Sequence, residues 1–167
     1  MEQQQYSLFY DTGCSEMVSR YDAIRRIGNR AIEELTGPIS VGGVGNSQVK
    51  PKHGIYQVKL PLFNGNEATL NGVCLDQITV KFPNYPIRGR VEDDIIKGYK
   101  VNGGDPRELP KLPKSVGGHT DFMIGIKYLR YYPEKLFQLP SGLSIYRSWF
   151  KNADGTRGVI CGPHRVF

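Results

Sequence analysis

No uninterrupted apolar run in the 167 residues approaches the roughly 18 residues that a membrane-spanning helix needs. The N-terminal MEQQQYSLFY has neither the basic start nor the long apolar stretch of a signal peptide. Together these absences set the expectation of a soluble, intracellular chain with no membrane partner. Cysteine is scarce: Cys14, Cys74 and Cys161 are odd in number and widely spaced, which argues against a disulfide framework and for free thiols in a reducing compartment. Metal-ligand pairs are scarcer still. Cys161-Gly-Pro-His164 has a spacing a metal could use, but Cys14, Cys74, His53 and His119 form no second paired element, and a structural zinc needs four ligands. No metal and no cofactor are expected. The glycine-rich segment VGGVG lacks the Gly-x-Gly-x-x-Gly spacing, and no Lys-Ser/Thr follows it directly, so it does not read as a phosphate cradle. Internal repeats and interdomain linkers are also missing.

What is present is enough for one buried core. With 39% hydrophobic residues, the chain is the size of a single domain spanning 1–167 and too short for two large lobes. The 22 Lys+Arg against 16 Asp+Glu give a net charge of +6, which favours acidic partners yet falls far below the density of a basic tail. Twenty Gly and 11 Pro point to a loop-rich, strand-rich fold, mainly β with short helices.

Tyr6 to Tyr10 (YSLFY) reads as a buried strand running into a tight turn at Asp11-Thr12-Gly13. Ser19-x-x-Asp22 fits a capping box, and Ile24, Ile27, Ala31 and Leu35 form one apolar helical face ending at Gly37-Pro38, with Gly28-Asn29 as a place to break it. Ile39 to Ser47 alternates apolar residues with Gly, as in a mobile hairpin or loop. Residues 54–80 read as a hairpin turning at Asn64-Gly65-Asn66, with Pro61 at an edge or strand end. The Pro- and Gly-rich stretch 82–118 reads as an irregular insertion interrupted by one short helix from Val91 to Tyr99, whose acids come early and lysines late, the order that suits a helix dipole. Phe122 to Ile126 reads as a buried strand meeting Gly125, followed by a helical turn or two before Pro133. Leu136 to Phe150 and Gly158 to Phe167 pair as a hairpin across Asn152 to Gly155.

Three of these features suit one chemistry in combination. Asp-Thr-Gly follows an apolar strand, precedes a Gly-rich segment about 30 residues on, and is matched downstream by Met123-Ile124-Gly125, the order an aspartic peptidase lobe requires. Asp11 supplies a carboxylate, Thr12 can tie its hydroxyl into the backbone, and Gly13 allows close approach without a Cβ. Peptide hydrolysis by this route needs two carboxylates about 3 Å apart sharing one proton. One triplet supplies half of that site, so a second copy of the chain, related by a twofold axis between the two Asp11 side chains, is the economical complement.

YSLFYDTGCSEMVS, the VGGVG segment and TDFMIGIKYLRYYPEKLFQLPSGLSIYRS with NADGTRGVICGPHRVF together resemble the retropepsin-type aspartic peptidases of BEL/Pao-like retrotransposons over nearly the whole chain. The resemblance implies a homodimeric acid-protease β-barrel that cuts its own retroelement polyprotein, in the cytoplasm or within virus-like particles. It implies Asp11, Thr12 and Gly13 as the catalytic triplet of each subunit. Val41, Gly42, Gly43, Val44, Gly45 and Asn46 would form the flap that closes over substrate, and Ile124 and Gly125 would brace the catalytic turn. Cys14 departs from the Ala or Ser that many retropepsins carry, and a thiol there could make activity redox-sensitive. The 82–118 insertion is absent from minimal retropepsins.

Plainer readings compete. Asp11 could be a turn residue satisfying its own backbone, VGGVG a surface hairpin, and Cys74 and Cys161 buried apolar thiols. Lys127 to Tyr132 interleaves bases and aromatics as a nucleic-acid surface does, but reads better as an amphipathic helix with solvated charges. Two other functions therefore stand beside the peptidase: a catalytically silent fold serving dimerisation or interaction, and a basic nucleic-acid-binding domain whose affinity would fall steeply with salt.

Overall fold

The structure, a computed structural model, describes residues 6–35, 54–78, 82–86, 89–108, 115–151 and 157–161. Its strands are β1 (Leu8–Tyr10), β2 (Met17–Arg20), β3 (Ala31–Glu33), β4 (Ile55–Pro61), β5 (Glu67–Leu75), β6 (Phe82–Pro86), β7 (Ser115–Gly118), β8 (Phe122–Ile124), β9 (Glu134–Gln138), β10 (Ser144–Lys151) and β11 (Arg157–Cys161). The helices are α1 (Tyr21–Ile27) and α2 (Gly89–Val101), with 3-10 turns at Pro106–Glu108 and Ile126–Tyr131. The fold is mainly β, and the described residues divide between two compact units.

The first unit takes its residues from Met1–Leu60, Glu67–Phe82 and Gly118–Arg130 and is built on a six-stranded sheet of order β1-β8-β2-β5-β4-β3. Among the described residues that sheet is open, with β1 and β3 as its edges, so the expected barrel is corrected: its end strands do not meet, and closure would require them to pair. Alternation along β4 buries Tyr56, Val58 and Leu60, and along β5 it buries Ala68, Leu70 and Cys74. Pro61 falls at the end of β4, where its missing N–H is tolerated. The turn at 62–66 forms as its sequence predicts, with Gly65 at φ 85° and the Asn64 carboxamide oxygen accepting the Asn66 N–H at 3.0 Å. Phe122 and Ile124 of β8 are fully buried, each contributing about 2 kcal/mol of apolar burial.

The first helix is shorter than its apolar periodicity predicts. Gly28 adopts φ 79° and caps it after Ile27, and the chain then extends into β3, where Ala31 pairs with Tyr56. Sheet pairing thus overrides the helical spacing of Ala31 and Leu35. The expected capping box is not formed either. Ser19 is a buried residue of β2 whose Oγ donates to the Val73 carbonyl at 3.3 Å, and the N-cap is Arg20, without a side-chain cap.

A buried ion cluster ties this unit together. Asp121, just before β8, is 5% exposed; Oδ1 accepts from the Nη2 groups of Arg20 (2.6 Å) and Arg26 (2.8 Å), and Oδ2 from the Ser7 N–H (2.9 Å). Its backbone N–H returns a hydrogen bond to the Ser7 carbonyl, and its own carbonyl accepts the Arg20 N–H. One carboxylate thereby fixes the start of β1, the end of β2 and α1 to the entrance of β8.

The second unit draws on Pro61–Asn66, Pro83–Gly117 and Tyr131–Phe167. Its three-stranded antiparallel sheet has the order β11-β10-β9, so the expected C-terminal hairpin gains a strand where Leu139 to Leu143 turns with Gly142 at φ 90°. Ile95 of α2 packs with Leu139, Leu143 and Ile145, and a Cβ on Gly98 would lie 2.4 Å from Leu139 Cδ2, so that side chain would have to move. The helix predicted from Val91 to Tyr99 is therefore present. The 82–118 stretch is less irregular than its prolines suggest, because β6 and β7 pair as a two-stranded sheet. Each strand of such a pair is an edge, where proline is tolerated.

Removing the Asp121 carboxylate leaves the Arg20 and Arg26 guanidinium groups with the exposed Asp22 carboxylate, which lies 3.5 and 3.1 Å from them, and frees the Ser7 N–H. Asp121→Ala is expected to lower unfolding stability by about 3 kcal/mol, read as a fall in the urea midpoint at unchanged slope. A loss under about 1 kcal/mol would show that the cluster is dispensable.

Candidate active site

Asp11 occupies the turn between β1 and β2, and three interactions hold it. Its N–H donates to the Ile124 carbonyl at 3.1 Å, its carbonyl accepts the Cys14 N–H at 3.2 Å, and Oδ1 accepts the Gly13 N–H at 2.8 Å. The last of these is the local bond that any turn aspartate makes. It leaves Oδ2 without a hydrogen bond to any described residue, on a half-buried side chain. A Cβ at Gly13 would sit 3.1 Å from Oδ1, so a larger residue would crowd the carboxylate. Thr12 is exposed, and its hydroxyl makes no hydrogen bond among the described residues, unlike the backbone tie expected of it.

The support for this turn comes from β8. This strand lies between β1, which it pairs in parallel (Tyr10 with Ile124), and β2, which it pairs antiparallel (Met17 with Ile124). The two strands flanking the Asp-Thr-Gly turn are thus held apart by a third that comes from more than 100 residues away. Beyond β8 the chain grips the far side of the turn. The Ile126 N–H donates to the Cys14 carbonyl at 2.8 Å, and the Lys127 N–H to the Ser15 carbonyl at 3.0 Å. Gly125 lies flat against this backbone: a Cβ there would stand 2.2 Å from the Glu16 carbonyl oxygen and 2.6 Å from that of Cys14. Ile124 and Gly125 therefore stand at the turn.

Cys14 is buried against Val18 and Leu75, its Sγ donating to the Glu16 carbonyl at 3.3 Å. Burial pushes its thiol pKa up, and the charge of Asp11 adds to the rise. The thiol stays protonated at neutral pH, the form least prone to oxidation or nucleophilic attack. Cys74 is fully buried, as expected of an apolar thiol. Residues Val41 to Asn46, with His53 and His164, lie outside the described residues, and the side chain of Cys161 does too. Among the described residues no group of three or more His, Cys, Asp or Glu is placed to hold a metal ion.

Two contributors escape the sequence reading. Gly72 lets β5 approach β2 closely, since a Cβ there would meet the Met17 carbonyl; an isolated glycine in a strand pattern is the available signal. Tyr128 is buried, and its phenol oxygen accepts the Asn71 N–H at 2.8 Å, anchoring the 3-10 turn to β5. No protein-family model, curated protein or solved structure matches the chain.

The fit of Gly125 against backbone, rather than against a yielding side chain, makes it a sensitive position. Gly125→Ala is expected to cost about 1–3 kcal/mol in unfolding stability. It should also shift the amide resonance of Gly13, which reports the geometry of the Asp11 carboxylate. An unchanged spectrum and midpoint would show that Gly125 does not set the turn.

Proposed function

We propose that the chain is one subunit of a retropepsin-type aspartic endopeptidase that hydrolyses peptide bonds of a retroelement polyprotein as a homodimer. The observation that carries this reading is β8 threaded between β1 and β2, bracing a turn that offers the half-buried Asp11 carboxylate with Oδ2 open. A lone turn aspartate needs no such support. The resemblance of the Asp11 and Met123-Ile124-Gly125 segments to BEL/Pao-type peptidases supports the same reading, as does the steric demand at Gly13 and Gly125.

The chemistry follows from two Asp11 carboxyl groups about 3 Å apart across a twofold axis, where like charge keeps one of them protonated. The ionised carboxylate accepts a proton from a water held between the pair, and the resulting oxygen nucleophile attacks the scissile carbonyl carbon. The protonated partner donates to the carbonyl oxygen as charge develops there. Collapse of the tetrahedral intermediate breaks the C–N bond, and a proton passes to the departing amine. Carboxylates and water suffice for each step. Val41 to Asn46 serve in this proposal as the flap that closes over the polypeptide.

No helix of the described residues is long and apolar enough to cross a membrane. Asp11→Asn keeps the Oδ1 acceptor and the shape of the turn but removes the ionisable group. It is expected to reduce cleavage of a precursor carrying flanking polyprotein sequence by at least about 1,000-fold while leaving the fold and the dimer intact. Retained cleavage would overturn the proposal, whereas a parent chain that never cleaves such a precursor would favour the silent interaction module.

A further inference from the structure

We infer that the face of β10 and β11 where Phe63, Trp149 and Arg157 stack, flanked by Arg147 and Lys151, binds single-stranded nucleic acid. All five residues belong to the second unit, so this site is independent of the peptidase reading of Asp11. The Arg157 guanidinium carbon lies 3.8 Å from the centre of the Phe63 ring and 5.0 Å from that of Trp149; the two rings are 5.4 Å apart and tilted by 48°. From Arg147 to Lys151 burial alternates: Ser148 and Phe150 are buried, Arg147 and Trp149 half-buried, and Lys151 exposed. Lys151 pairs directly across from Arg157, so the two side chains leave the same face of the sheet. Phe63, in the turn between β4 and β5, stays 37% exposed although a guanidinium lies over its ring. The turn does not need this stack to stay in place. The Phe63 N–H donates to the Trp149 carbonyl at 3.0 Å, and Leu62 bridges to Phe150.

Charge and ring chemistry name the ligand. The sequence of the second unit holds twelve Lys and Arg against seven Asp and Glu, and that of the first ten against nine, so nearly all of the net +6 belongs to the unit with this stack. The acid that reaches the stack is Glu134, whose carboxylate stands 3.8 Å from Arg157 Nη2, beyond hydrogen-bond distance. Burial lowers the Arg157 pKa and the charge of Arg147 lowers it further, the mark of a cation short of counter-charge that nonetheless stays protonated at neutral pH. A phosphate supplies that counter-charge. The guanidinium is already held for it, since Nε donates to the Ser148 carbonyl at 3.0 Å and the Phe63 ring supports its plane, so little freedom is lost on binding. The rings add what a simple anion does not use, a stacking platform for a base. Bases of a duplex are stacked on one another already, which selects the single strand. Lys127 to Tyr132, the segment whose sequence interleaves bases and aromatics, is not this surface: its Tyr128 is buried.

Trp149 is the single tryptophan of the chain, so its intrinsic fluorescence reads the site without any substitution. Titrating the full chain with a thymidine oligonucleotide of about 12 residues is expected to quench that emission to saturation. With three phosphate contacts, log Kd should rise with log salt at a slope of about 2. Phe63→Ser is expected to weaken binding at least about 10-fold by removing a stacking ring. Lys151→Gln should flatten the salt dependence by about 0.7, the share of one phosphate contact. Lys59→Gln removes the same charge from an exposed position on β4, in the first unit, and should stay within about twofold of the parent chain. If Phe63→Ser does not fold, as judged by its thermal transition, the quenching of the parent chain and the Lys151→Gln slope decide. Binding that leaves the tryptophan emission unchanged overturns the inference, as does an affinity that falls equally in Lys59→Gln and Lys151→Gln. Equal quenching by the matched duplex, by polyphosphate or by a phosphopeptide also overturns it, since each offers phosphate without an unpaired base.

Discussion

The hydrogen bond from the Asp11 N–H to the Ile124 carbonyl, together with Gly125 lying against the carbonyls of Cys14 and Glu16, joins the two ends of the first unit's sequence at a single turn. The peptidase reading depends on that junction. A turn between two short strands has little to define its shape; β1 has three residues and β2 four. Inserting β8 between them satisfies the facing backbone groups of both and buries Phe122 and Ile124, so the turn inherits the rigidity of a sheet interior. A carboxylate carried on such a turn is preorganised, which is what a proton-sharing pair requires.

The Asp121 cluster extends this logic to the other end of β8. Its carboxylate sits where β1 begins and β2 ends, and it receives two guanidinium groups and a backbone N–H. Since β1, β2 and β8 are all short, an error of one residue in their pairing would turn Asp11 away from its present position. A buried charge cluster that is satisfied in only one register penalises that error. Cys14, beside the turn, has the opposite character: it is uncharged packing against Val18 and Leu75, and burial pushes its thiol pKa up.

Much of this was legible in the sequence for identifiable reasons. The β-prone runs on either side of Asn64-Gly65-Asn66 pointed to β4 and β5, that triplet marked the turn between them, and the charge order along α2 marked the helix. The Asp-Thr-Gly and Met123-Ile124-Gly125 elements pointed to the two strands that the structure brings together. What was not legible depends on partners distant along the chain. The spacing of Ala31 and Leu35 suits a helix, but pairing of Ala31 with Tyr56 makes a strand. Ser19 looks like a cap until β5 supplies Val73 as its acceptor. Nothing local to Asp121 announces that Arg20 and Arg26 converge on it from about 100 residues away. Barrel closure likewise is decided by whether two edge strands meet, a property no single segment carries.

The central claim is that Asp11 is one half of a catalytic pair completed by a second chain. The measurement that addresses it most directly is the separation of the two Asp11 carboxyl groups in a crystal structure of the protein. The account predicts a twofold axis between them and nearest carboxylate oxygens about 3 Å apart, close enough to share one proton. A dimer formed through another face, or Asp11 side chains separated by more than about twice that distance, would contradict it.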